Sequence, residues 1–273
     1  MTVAASLTPL RIDIPAQPEA LLKLSLRLAD DKVNMNALSS MIESDRALVA
    51  AVLKAVNSSL YGLSDRVRTV QQASSSLGMR EVAAVTFEMR LKAVFPSVPE
   101  LEPVWERAGV RGLLMGRIAQ AVGADRWTAH SAGLFEECGK AVLFRHSPAR
   151  YRPILVAAKN DEEPLFLEHQ EFGLSHDALG AALCESWGLA PEAVQSVRYH
   201  VIVNATRELP MHLERRAICA ISALANALMV DPDTVDNVAR AVAPQADMDV
   251  VMVLRGTRKV QERIEQAVAR REA

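Results

Sequence analysis

The chain has 273 residues, half of them apolar and only 4% aromatic, with a formal net charge of −2. This length supports one large domain or two modest ones around a substantial core. The near-neutral charge supplies no global field to draw in nucleic acid or an anionic membrane. Ala, Leu, Val, Met, Glu and Arg dominate while Gly and Pro are scarce, which favours helix and gives little support to a sheet. Cys138, Cys184 and Cys219 stand far apart without a C-x-x-C pair, as expected of buried free thiols in a reducing compartment. The first residues, MTVAASLTPLRIDIP, lack a basic start and a long apolar stretch, so no signal peptide is expected. The most apolar late run, AICAISALANALMV (217–230), is too short to cross a bilayer and contains Asn226. The expectation is a soluble, cytoplasmic, all-α protein.

In chain order, Pro18 stands near the start of a helix dense in leucine (21, 22, 24, 26, 28), a pattern suited to burial. A short helix follows, with Asn34 or Asn36 as its cap. Ser44 or Asp45 caps the next, in which Leu48, Val52, Leu53 and Val56 share a face. NSSLYGLSDR is a turn-rich break, after which Thr69 caps a helix that Gly78 stops. The segment 96–103 carries three prolines and marks a boundary between an N-terminal helical subdomain, 1–95, and a C-terminal one, 96–273. Longer helices then cover 104–123 and 127–146. Pro148 and Pro164 bracket a further one, and Pro191 suits a first turn. The last helix, RGTRKVQERIEQAVARREA, reads as solvated and amphipathic, with charge pairs one turn apart. No period-2 alternation, 20–50-residue repeat or low-complexity tract is present.

Three successive tracts, IPAQPEALLKL, SDRALVAAVLKAVNSSLYGL and VRTVQQASSSLGMREV, are similar in order and spacing to HDOD domains, relatives of the HD metal phosphohydrolases. VWERAGVRGLLMGRIA, AGLFEECGKAVL and HDALGAALCESWGLAPEAVQSVRYH resemble the HD-type helical core, and the likeness spans roughly 8–230 as one unit. It implies a multi-helix fold in which an N-terminal bundle packs on an HD-like bundle. It also implies a bacterial signalling role without catalysis, exerted by binding a signalling protein partner, cyclic-di-GMP-linked or chemotaxis-linked, or a small nucleotide. The alternative is a phosphohydrolase or phosphodiesterase with substituted metal ligands. A homodimer remains open, and nucleic acid, membrane and cofactors are not expected.

HD phosphohydrolases use a His, an adjacent His-Asp pair and a later Asp to hold a divalent ion that activates water. On the resemblance, those positions fall on Arg107, Glu136, Glu137 and Asn226, so all of them differ in type. Arginine keeps its proton and brings a cation to a cation's place. Adjacent helical residues point about 100° apart, so one of Glu136 and Glu137 is expected to face the cleft. Arg107 is expected to take the metal's place, pairing with one of these glutamates across two helices. Arg111, His176, Asp177, Tyr199 and His200 are the candidates for a ligand or partner cleft. His176-Asp177 is the single literal His-Asp dipeptide, but its context suits a helix start, with Ser175 or Asp177 in the first turn. His130, His146, His169 and His212 show no ligand-like mutual spacing. No G-x-S-x-G, phosphate-cradling loop or activated Cys is evident.

Overall fold

The computed structural model describes residues 12–29, 35–58, 61, 63, 65–158 and 162–272. Among them are fourteen α-helices and no strand. The first group is α1 (Glu19–Ala29), α2 (Met35–Glu43), α3 (Arg46–Val56), α4 (Val70–Leu77) and α5 (Met79–Lys92). Asp45 caps α3, its carboxylate accepting from Leu48 N at 3.1 Å, and Thr69 caps α4 by accepting from Gln72 N at 3.1 Å. Gly78 takes φ +86° between α4 and α5, a conformation that L side chains adopt at a cost. Asn36 lies inside α2, and Asn34 is outside the described residues. The turn-rich break is closed by Asn57. Its Nδ2 donates to Leu53 O (2.7 Å) and Val67 O (2.8 Å), and its Oδ1 accepts from Val67 N (2.8 Å). α5 lies beneath α1, α3 and α4 and buries Val82, Val85, Phe87 and Leu91.

A short 3-10 turn, Pro99–Leu101, leads into α6 (Glu102–Val122). Then come α7 (Arg126–His146), α8 (Pro148–Ala157), α9 (Glu162–Phe172), α10 (His176–Ser186), α11 (Pro191–Thr206) and α12 (Ala217–Val230). α13 (Val235–Gln245) and α14 (Val250–Glu272) end the chain. α7 is the axis, packed on α6, α10, α11 and α12. Two glycine contacts set its depth. A Cβ on Gly133 would stand 2.8 Å from Gly112 N of α6, and one on Gly139 would stand 1.8 Å from the His176 carbonyl of α10. With hydrogen in place of Cβ, α7 meets both neighbours backbone to backbone. The segment at the N-terminus is tied to this group by the Trp187 indole, which donates to Pro15 O at 2.8 Å across 172 positions.

All three cysteines are buried free thiols, and burial pushes the Cys138 thiol well above its usual pKa, with Cys184 and Glu137 adding to the shift. No helix among the described residues is long and apolar enough to cross a membrane. α14 packs on α6 and α13. Arg258 on it bonds Asp236 of α13, Nε to Oδ1 at 3.1 Å, and Gln261 donates to Glu265 one turn on at 3.0 Å.

Between α5 and α6 sits Glu88, partly buried, its carboxyl so close to Gly109 that an added Cβ would stand 2.6 Å from Oε1. Burial pushes its pKa up to about 7, against an opposing pull from Lys92. The native state therefore holds this proton more tightly than the unfolded chain. The contribution is complete below 4.5, the unperturbed value, and is lost as pH rises towards about 7. Urea midpoints measured from pH 4.5 to 8 should fall more steeply with pH for the wild type than for Glu88→Gln. Equal slopes would refute the assignment. Separately, Gly139→Ala should lower unfolding free energy by more than about 3 kcal/mol in chemical denaturation, because the obstacle is a backbone carbonyl that cannot rotate aside.

Candidate functional site

The site is built where α6, α7, α11 and α12 converge, and each contributes residues one helical turn apart. α6 presents Arg107 and Arg111, α7 presents Glu136 and Glu137 with Lys140, α11 presents Ser196 and His200, and α12 presents Ser222 and Asn226. Residues at i and i+4 share a face, so Arg107 and Arg111, Glu136 and Lys140, Ser196 and His200, and Ser222 and Asn226 each follow one another along one face of their helix.

The guanidinium at the centre is that of Arg111, not Arg107. Arg111 is fully buried, with Nη1 donating to Glu136 Oε2 at 3.0 Å. Its Nη2 stands 3.3 Å from Glu137 Oε1 and donates to Asn226 Oδ1 at 3.2 Å. Arg107 is 39% exposed and reaches Glu137 Oε1 at 3.4 Å from the edge. The difference is one turn of α6. Gly112, beside Arg111, lies where α6 touches Gly133, and this crossing carries Arg111 rather than Arg107 into the interior.

Both glutamates face inward and both are fully buried, contrary to the expectation that one would turn away. α7 is surrounded, so two directions 100° apart can both be interior. Glu136 accepts from Ser196 Oγ (2.9 Å), Ser222 Oγ (3.0 Å) and Arg111. Glu137 Oε2 accepts from Lys140 Nζ at 2.7 Å. Burial would raise the Glu137 pKa, but Lys140, Arg111 and Arg107 together outweigh it and hold the carboxyl well below 4.5. The formal charges of Glu136 and Glu137 are balanced by those of Arg111 and Lys140, so the buried cluster is close to neutral.

The cleft candidates divide. His176 and His200 are buried with ring centroids 5.5 Å apart, so together with Arg111 they lie inside the protein and do not line an open cleft. His200 Nδ1 donates to Val197 O at 2.8 Å; a carbonyl only accepts, so this nitrogen carries the proton. Burial lowers the His200 pKa, as do His176 and Arg111, while Glu136 acts in the opposite direction. His176 is held by Glu168, whose Oε2 accepts from both its backbone N (2.7 Å) and Nδ1 (2.8 Å), while Tyr151 donates to Oε1 at 2.5 Å. Glu168 is lowered on balance, burial being outweighed by His176 and these bonds. Asp177 accepts from Ala178 N at 2.7 Å in the first turn of α10, and Tyr199 bonds His212 at 3.1 Å on another face. His130 is buried and stacked on Trp127.

Sequence reasoning missed Ser196, Ser222, Lys140, Glu168 and Tyr151. Ser222 carried a signal, a lone hydroxyl in an apolar run four residues before Asn226. Glu168 and Tyr151 carried none, since only the tertiary fold, with α8 packed on α7 and α9, brings them to His176.

Helices converging on a buried polar centre place the chain in the all-helical HD-like class. It belongs to the HDOD family, whose domain matches residues 14–203. An uncharacterized protein of Treponema pallidum (strain Nichols) is 26% identical over 202 residues, 72% of this chain but 39% of the relative, so the chain spans well under half the relative's length. Among solved structures, an HDOD domain protein of unknown function from Geobacter sulfurreducens superimposes with a TM-score of 0.69 at 19% identity, covering 94% of this chain and 92% of that one. A protein named for signal transduction from Marinobacter aquaeolei VT8 gives 0.69 at 22% identity, over 94% and 59% of the two chains. One named as a phosphohydrolase, from Shewanella amazonensis SB2B, gives 0.65 at 18% identity over 93% of each. At these identities the likeness is one of fold.

Removing Arg111 strands two buried carboxylates. Arg111→Ala should therefore cost about 3–5 kcal/mol of unfolding free energy, whereas Arg107→Ala, at the half-exposed rim, should cost less than about 1 kcal/mol. Similar losses for the two variants would refute the central role of Arg111. Because the native Glu137 pKa lies below its ordinary value, its contribution is present above pH 4.5 and is lost as pH falls towards the folded pKa. In acid titrations followed by circular dichroism, Lys140→Met should unfold at a higher pH than wild type.

Proposed function

We propose that this HDOD chain is a non-catalytic regulatory module of bacterial signal transduction, acting by binding a signalling protein partner or a small nucleotide-type ligand. The observation that carries this reading is the buried guanidinium of Arg111 between Glu136 and Glu137. Arg cannot give up its proton to become a ligand, and a divalent ion here would have to displace both Arg111 and Lys140 from the carboxylates. The carboxylate oxygens already accept from these cations and from Ser196 and Ser222. The donor set fits an internal ion-pair cluster better than a cation that activates water. Among the described residues there is also no group of three His, Cys, Asp or Glu arranged around one point. A cyclic-di-GMP-linked or chemotaxis-linked partner fits this reading. The second reading, a phosphohydrolase with substituted ligands, draws on the name of the Shewanella relative.

Elemental analysis of the purified chain, together with turnover of a phosphodiester panel in added manganese, separates the two. The regulatory reading expects no stoichiometric manganese, iron or zinc and no turnover above buffer. Turnover that disappears in Glu136→Ala would overthrow it.

A further inference from the structure

The last turns of α5 meet α6 through two polar side chains of α5. Glu88 lies against Gly109, where an added Cβ would stand 2.6 Å from its Oε1. Lys92, four residues on, crosses to the first turn of α6 and donates to Glu102 Oε2 at 2.6 Å. Residues four apart share a helix face, and Glu preceding Lys at this spacing is the favourable order for an ion pair. Lys92 thus stands between two carboxylates. It bonds the one on the other helix, while its charge also pulls on Glu88. The two carboxylates differ in their surroundings. The Glu102 side chain is 47% exposed, whereas burial raises the Glu88 pKa to about 7.

We propose that Lys92 is a pH-dependent latch between α5 and α6, bonding Glu102 across the junction while Glu88 is neutral and turning back to Glu88 once Glu88 is charged. A charged Glu88, shielded from water, is costly without a partner, whereas Glu102 loses little on returning to solvent. The latch is closed below about pH 7 and opens above it. Burial and Lys92 set the state of Glu88. Around them, Tyr61 is a phenol that burial and Glu88 push up, with the Arg117 guanidinium 6.0 Å over its ring and Arg126 beside it. Arg126 of α7 pairs with Glu81, and Arg90 stands 3.6 Å from Asp45, the cap of α3. α4 carries no charged residue, Lys23 of α1 pairs with Glu19 on its own helix, and Glu43 of α2 accepts from Ser39. The Arg126–Glu81 pair and the edge contact of Phe87 with Trp127, 5.0 Å between centroids, hold the earlier turns of α5 to α7. Opening the latch therefore frees the last turn of α5 and the segment 93–98 that follows it. None of these residues enters the metal and turnover assays, so the latch and the regulatory reading can fail separately.

A double-mutant cycle of Lys92→Met and Glu102→Gln in the full chain, read by urea unfolding at about pH 5.5 and about pH 8.5, tests it. The two substitutions should be coupled at the lower pH and additive at the higher. In a Glu88→Gln background the coupling should persist at both. Coupling that is absent at the lower pH, equal at the two, or lost at the higher pH in the Glu88→Gln background as well, overturns the proposal. A carbon-13 titration of the wild-type chain gives a reading that requires no variant to fold. The Glu102 carboxyl resonance should show an inflection at about pH 7, where Glu88 titrates, and its absence overturns the latch.

Discussion

The fold is organised around a guanidinium with no access to solvent. A charge of this kind is costly to bury, and the cost is met only where carboxylates and hydrogen-bond acceptors surround it in good geometry. Arg111 meets that condition because α6 and α7 touch at Gly112 and Gly133, one turn before Glu136 and Glu137 on α7. Were the helices a side chain further apart, the same residues would not close on one another. α11 and α12 then complete the shell, Ser196 and Ser222 bonding Glu136 and Asn226 bonding Arg111, so four helices are joined through the Arg111–Glu136 pair.

A second polar chain runs beside the first. Tyr151, Glu168 and His176 join α8, α9 and α10, and the His176 ring meets His200 next to Glu136. These networks put ionisable groups in the interior. Buried ion pairs specify an arrangement more readily than they add stability, because desolvation offsets most of their attraction. A centre of this kind holds the helices in one arrangement.

Much of this was legible in the chain itself. Leucine spacing, the caps at Asp45 and Thr69 and the stop at Gly78 are local features, decided within one or two turns by backbone hydrogen bonds and sterics. The order of the HDOD-like tracts located Glu136, Glu137 and Asn226. The choice between Arg107 and Arg111 was not legible, since both lie on the same face of α6 and either could reach α7. It depended on the point at which α6 and α7 cross.

The sequence by itself determined a helical chain with a carboxylate pair on one helix and arginines on its neighbour, because helix periodicity and residue chemistry are written locally. Only the tertiary structure decided which arginine is interior, that both glutamates face it, and that Lys140 balances the charge. It also decided that Lys92 bonds Glu102 across α5 and α6. Those relations depend on distances between helices, set by glycine contacts and side-chain volumes that act across tens of residues and leave no periodic trace along the chain.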